Sequence, residues 1–304
     1  MKKIIFDTDI GGDCDDTGAL AIVHRCCEAG LAELLCLTVS TVNPWSSACA
    51  DAINRYYGRC VPIGKLSRSP ENGAPPEKFL RWYGKHIAEN FPNDYLPDTG
   101  REPEEAVRLL RRTLAENRGE KITMIVIGSL VNLCDLLQSE PDDLSPLSGK
   151  ELVRSQVGLI SLMGGRFASE EAPSVEAEWN IRLDIPSARA VFAQCPVPIA
   201  ISHFDVGEKI KTGAVLIANE RENPVAEAYE VHSHGNRFSW DPISAYYAVF
   251  GTGEIFTDAR CGRVCVDEHG VTSFEAGEGL HRLIDCPDFD VAARRLDDVM
   301  LGNI

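Results

Sequence analysis

Five short, largely apolar runs recur along the chain, each ending in a polar or glycine-bearing turn, with amphipathic segments between them. They are residues 3–6, AELLCLTV (32–39), KITMIVI (121–127), VGLISLMGG (157–165) and VPIAIS (197–202). Strands without polar alternation have both faces buried, which predicts a mostly parallel sheet covered by helices on both sides. Apolar spacing predicts helices over 16–29, 46–58, 104–117, 130–137 and 186–194; Gly30 stops the first and Pro103 opens the third. Residues 65–100, rich in Pro, Gly and charge, predict an excursion over the sheet edge. Residues 262–276 read as a small hairpin and 287–301 as a closing helix. No repeat or linker divides the chain, so the expectation is one Rossmann-like α/β domain over residues 1–304.

Composition narrows the partners. A net charge of −16 argues against nucleic acid or an anionic membrane surface, because phosphate binding needs clustered Lys and Arg. A nucleoside carries no phosphate and is not excluded. No apolar segment approaches the roughly 20 residues of a membrane span, and Met1-Lys2-Lys3 leads straight into a short strand rather than a signal peptide. The eleven cysteines are an odd number, and no C-x-x-C occurs. Cys261 and Cys265 lack companion ligands for zinc, and Cys26-Cys27 suits a helix core. Unpaired thiols indicate a reducing, cytoplasmic setting.

In a parallel sheet the strand C-terminal ends share one edge, where ligands bind. Polar clusters follow the strands at Asp7–Asp16, Asn43, Gly128–Asn132 and Gly164-Gly165, and EAEWN (176–180) and SWDP (239–242) add carboxylates and an amide. The first cluster, DTDIGGDCDDTGAL, holds five aspartates in fourteen positions. Carboxylates this close repel, and burying them is costly unless a cation or strong donors compensate. Helix capping explains one or two of them. Oxygen donors without His or Cys suit Ca²⁺ or Mg²⁺, and Gly11-Gly12 lets the backbone fold tightly. The EF-hand register is absent, and no G-x-x-x-x-G-K phosphate loop is present.

Asp7-Thr8-Asp9-Ile10-Gly11, followed by Asp15-Asp16 and Ala19-Leu20, resembles the opening signature of the calcium-dependent, inosine–uridine preferring nucleoside hydrolases. VNP (42–44), GSLVNL (128–133), MGG (163–165), EAEWNI (176–181) and WDP (240–242) follow in the family's order and carry the resemblance over most of residues 1–250. It implies the nucleoside hydrolase fold, nucleoside salvage, a homodimer or homotetramer, and hydrolysis of a nucleoside or other riboside to ribose and free base. By position it implies Asp9, Asp16 and Asp241 as Ca²⁺ ligands, with the Val131 carbonyl completing the protein shell. Asp15 becomes the general base, while Glu178, Asn180 and Asn43 hold the ribose. Two alternatives are a riboside-binding protein without hydrolysis and a hydrolase of a different riboside. Binding alone needs no water-activating carboxylate, so Asp15 favours hydrolysis.

Three departures mark the nucleobase side. Two extra residues separate Asp9 from Asp15-Asp16, so Asp13 is a candidate to replace or assist a ligand. Trp240 stands where studied members have His before the late metal-binding Asp. It reads either as core at the start of DPISAYYAVF or as a stacking surface for the base. A family His-Gly motif is not recognisable in 65–100, although His86 lies near. His232 and His234, in an expected exposed loop, and His203 are candidates for a leaving-group acid. His24 is expected at the surface.

Overall fold

In the computed structural model, which describes residues 1–72, 83–99, 101–169 and 172–304, strand β1 (Lys2–Thr8) lies at the middle of the main sheet. Its neighbours are β2 (Ala32–Val39) and β5 (Ile122–Val126), both parallel to it. On the β2 side follow β3 (Ile63–Lys65) and β4 (Glu104–Glu105). On the β5 side follow β6 (Val157–Met163), β7 (Ile199–Ser202), β12 (His281–Asp285), β10 (Thr257–Val266) and β11 (Thr272–Ala276). Within this sheet all pairings are parallel except those of β10 with β11 and β12, and β8 (Lys211–Thr212) and β9 (Arg237–Phe238) form a separate antiparallel pair. The chain builds outward from β1 in one direction and then in the other. That reversal opens a crevice at the carboxyl end of β1, the usual ligand position in such sheets.

Side-chain alternation on β1 divides the core into two halves. Ile4 and Phe6 pack against the helices Asp15–Glu28, Ser46–Tyr56 and Trp240–Phe250, whereas Ile5 points to Leu109, Leu133 and Leu152 on the other face. Buried Asp7 braces the site end of the sheet. Its Oδ2 accepts from Asn132 Nδ2 (2.7 Å) and Thr38 Oγ1, tying β1 to β2 and to the helix Val131–Gln138.

The expected hairpin is part of a larger element. β10 runs on to pair with β12, which joins β7, so the C-terminal strands extend the main sheet. Pro103 does not open its helix directly. Glu104–Glu105 first pair with Gly64 and Lys65, and the helix is Ala106–Glu116. The 65–100 excursion leaves from β3 and returns to β4; its residues 73–82 and 100 lie outside the described residues. His24 corrects the sequence reading. It is fully buried, with Nε2 2.8 Å from Asn54 Oδ1 and its ring stacked on Tyr57, because the helix Asp15–Glu28 is enclosed on nearly every side. Cys26 and Cys27 are core, as read, and all eleven cysteines are free thiols. Among the described residues no helix is long and apolar enough to cross a membrane.

Candidate active site

The chain leaves β1 at Thr8 and turns at Gly11, whose φ of +110° disfavours any residue with a Cβ. It then enters the helix Asp15–Glu28, with Asp15 and Asp16 in the first turn. Asp241 occupies the first turn of the helix Trp240–Phe250. Two helix N-termini therefore meet at the end of β1, and their partial positive charge favours acids there. Carboxylate oxygens of Asp15, Asp16 and Asp241 lie within 4.8 Å of one another, and Asp9 lines the same cavity of about 630 Å³.

Capping explains one acid, although not at the expected helix. Asp15 Oδ2 accepts from the backbone N–H groups of Trp240 (3.0 Å) and Asp241 (3.1 Å), so it caps the second helix across the cavity. Cys14, at the start of the first helix, makes no side-chain cap. Thr8 Oγ1 donates to Asp16 Oδ1. Burial, then mutual repulsion, pushes Asp16 and Asp241 well above the ordinary carboxylate range; Asp9 rises to about 7 by burial and the charges of Glu178, Asp13 and Asp7. Such a cluster fits a hard cation, which would relieve both costs.

Opposite the acids lie the three residues expected to hold ribose, and the structure brings them together. Glu178 caps the helix Trp179–Leu183, accepting from Asn180 N at 3.0 Å, and also accepts from Gly165 N at 3.2 Å. Its carboxylate is thus held at the end of β6. Asn180 Nδ2 donates to the carbonyls of Ile127 and Met163, each at 3.3 Å, bridging the ends of β5 and β6. Asn43 is fixed from β2 by Nδ2 donating to Gly11 O (3.3 Å) and Oδ1 accepting from Trp45 N (3.1 Å). All three line the cavity.

Val131 lies apart from the cavity lining. It is fully buried in the first turn of its helix and does not line the cavity, and a helical carbonyl points along the axis toward the C-terminal end. Ile127, directly after β5, is the residue of this segment that reaches the cavity.

The third wall holds residues that the sequence did not single out: Phe204, Arg237 and Phe238. Trp240 is both packed into the structure and part of the cavity wall. Its indole N–H donates to Phe204 O (3.0 Å), its ring stacks on Phe204 with centroids 5.4 Å apart, and Arg237 lies 5.0 Å over it, yet it still lines the cavity. Asp13 is engaged by Arg237, whose Nε lies 2.9 and 3.1 Å from its two oxygens, and it also lines the cavity, with its charge felt by Asp15. His232 is not in an exposed loop. It ends the helix Pro224–Ser233, its side chain is 7% exposed, and it lines the cavity. His234 projects outward at 81% exposure, His203 turns to Asp205 (3.2 Å), and His86 pairs with Glu227 (2.8 Å). None of these three lines the cavity.

Gly128 gives a direct test of how tightly the acids are seated. A Cβ there would meet Ser40 Oγ and lie 2.6 Å from the Asp9 backbone N. Gly128→Ala is expected to cost about 1–3 kcal/mol of stability by overpacking and to displace Asp9. Thermal melts with and without calcium check both; an unshifted melt and an unchanged calcium response would refute the packing argument.

The sequence profile of the family described as inosine–uridine preferring nucleoside hydrolase matches residues 4–282. No curated protein sequence matches the chain. Among solved structures, the inosine–uridine preferring nucleoside hydrolase from Bacillus anthracis superposes with a TM-score of 0.76 at 16% identity, over 99% of this chain and 100% of that one. The purine-preferring ribonucleoside hydrolase from Gardnerella vaginalis gives 0.74 at 19% identity, over 99% and 98%. The type III effector protein XopQ, solved with adenosine diphosphate ribose, also gives 0.74, at 16% identity over 100% and 94%. These similarities establish the shared fold.

Proposed function

Because the chain belongs to the inosine–uridine preferring nucleoside hydrolase family and is therefore a nucleoside N-glycosidase, we propose that it hydrolyses ribonucleosides to ribose and free base with a bound Ca²⁺ and Asp15 as general base. Asp9, Asp16 and Asp241 would hold the cation, with the carbonyl of Ile127, which lines the cavity, as a further donor in place of the one that the resemblance implies at Val131. The observation that carries this reading is the convergence of Asp15, Asp16 and Asp241 oxygens within 4.8 Å at two helix N-termini. When bound, Ca²⁺ supplies positive charge that orients ribose hydroxyls and a water and makes that water more acidic.

This chain's residues do the rest. Asn43, Glu178 and Asn180 grip the sugar at the ends of β2 and β6. Asp15, fixed through Oδ2 by two backbone N–H groups, takes the water proton on Oδ1. The water oxygen attacks C1′ while the C1′–N bond breaks and its electron pair leaves with the base. Positive charge develops on the ribose in this step, and the surrounding carboxylates stabilise it. Free thiols support a cytoplasmic setting, and the resemblance supports a role in nucleoside salvage. The resemblance supports a homodimer or homotetramer.

A release assay over inosine, uridine, adenosine, guanosine, cytidine and 4-nitrophenyl riboside tests the proposal. Base release from at least one, abolished by a chelator and restored by calcium, is expected. Tight binding without release would favour a binding protein, and release indifferent to chelator would overturn the metal assignment.

A further inference from the structure

We propose that His232 is the acid that protonates the departing nucleobase, seated on the aglycone wall beside the Asp13–Arg237 ion pair. The inference rests on the hydrolase reading of the same cavity and adds the group that reading lacks. A purine or pyrimidine leaves poorly as an anion, so cleavage at neutral pH benefits from a proton donor at the base. Trp240 cannot be that donor. An indole N–H does not ionise near neutral pH, and this one is donated to Phe204 O.

All seven histidines are described, and His232 is the one that lines the cavity. His24 and His281 are buried elsewhere, His269 is 78% exposed, and His86, His203 and His234 lie off the cavity wall. The other ionisable lining groups fit less well. The carboxylates Asp9, Asp15, Asp16, Asp241 and Glu178 belong to the cation and sugar sides. A guanidinium does not release its proton, and a lysine ammonium such as that of Lys211 is a far weaker acid than an imidazolium.

The placement is built. Asp13, His232, Arg237 and Trp240 line the same cavity as Asn43, Glu178 and Asn180, and the proposal places the aglycone of a ribose held by those three against them. His232 lies in the last turn of its helix, where the negative end of the dipole favours a cation. Nδ1 lies 2.8 Å from Ser233 Oγ and Nε2 lies 3.8 Å from Asp13 Oδ1, with the Tyr83 ring edge-on at 6.0 Å. Burial, and after it the charge of Arg237, hold the imidazole below its ordinary range, and Asp13 opposes them by favouring the imidazolium. Asp13 comes with the two-residue lengthening of the loop after β1, which gives that departure a purpose. Beside it, burial and the charges of Asp13 and Asp15 raise the Cys14 thiol well above its ordinary range.

In the proton transfer, the electron pair of the broken C1′–N bond stays on the base. The Nε2 proton of His232 then passes to a ring nitrogen of the base, leaving neutral imidazole. Asp15 has gained the water proton, and exchange with solvent restores both groups.

The test compares His232→Gln with wild type on the most rapidly cleaved natural nucleoside and on 4-nitrophenyl riboside, whose phenolate leaves without a proton. The nucleoside should lose about 10²–10⁴-fold in kcat/KM and the nitrophenyl riboside less than about tenfold. The decline of nucleoside cleavage with rising pH should disappear in the variant. Asp13→Asn, which keeps the histidine, should move that decline to lower pH. Equal losses on both substrates, a nucleoside loss below tenfold, or an unmoved decline in Asp13→Asn would overturn the proposal. Wild-type protein inert toward all of the nucleosides and toward the nitrophenyl riboside would instead overturn the hydrolase reading itself.

Discussion

Asp16→Ala is expected to abolish calcium binding and to lower turnover by at least about a thousandfold, since a bound cation contributes several kcal/mol of charge stabilisation in such reactions. The stability effect depends on whether calcium is present. In the metal-free chain, Asp9 rises to about 7, and Asp15, Asp16 and Asp241 lie well above their ordinary values. A carboxylate whose folded pKa exceeds its unfolded value makes folding take up protons. Metal-free protein should therefore gain stability as pH falls from about 7 toward the unfolded carboxylate range, and lose it as pH rises again. Saturating calcium removes that cost and adds about 2.7 kcal/mol at a hundredfold excess over Kd. Asp16→Ala should be no less stable than wild type without metal, but should gain nothing from calcium. Elemental analysis and paired thermal melts decide this. An equal calcium shift in both proteins, or zinc in the purified wild type, would remove Asp16 from the ligand set or calcium from the site.

The sheet was most legible where strands are buried on both faces. β1, β2, β5, β6 and β7 each carry a run of side chains with no solvent-facing alternation, and each was located within a few residues. β3 and β4 have three and two residues, too few for any period to register, and their pairing depends on Gly64 letting Ala106 approach. His24 was misread because amphipathic logic assumes a solvent face, and the helix Asp15–Glu28 has almost none. The acids and the sugar-holding residues were legible because each lies in a short motif at a strand end or helix start. Val131 and Ile127 share one such motif, but which carbonyl faces the cavity depends on where the helix begins, and residue identity does not reveal that. Arg237 on Asp13, and His232 beside Asp13, join segments more than 200 residues apart. Such contacts are set by packing alone.

Asp15→Asn should leave the fold and calcium binding largely intact while lowering turnover by roughly a hundredfold or more, the scale of general-base loss. The amide preserves the shape, and its oxygen can still accept from the Trp240 and Asp241 N–H groups, so the start of the helix Trp240–Phe250 and the Asp241 carboxylate stay in place. What is lost is the second oxygen as a proton acceptor. Asp9→Asn is the informative comparison, because Asp9 lines the same cavity and is assigned to the cation: it should weaken calcium binding as well as turnover. Asp13→Asn should leave calcium binding unchanged, since Arg237 engages that carboxylate and it is outside the proposed ligand set; loss of calcium there would add Asp13 to the ligands. Calcium titration and single-turnover rates on all three variants separate the roles. Loss of calcium in Asp15→Asn, with retention in Asp9→Asn, would exchange the two assignments. Turnover untouched by either change would mean that neither carboxylate takes the proton from water, and the proposed chemistry of the cavity would fall.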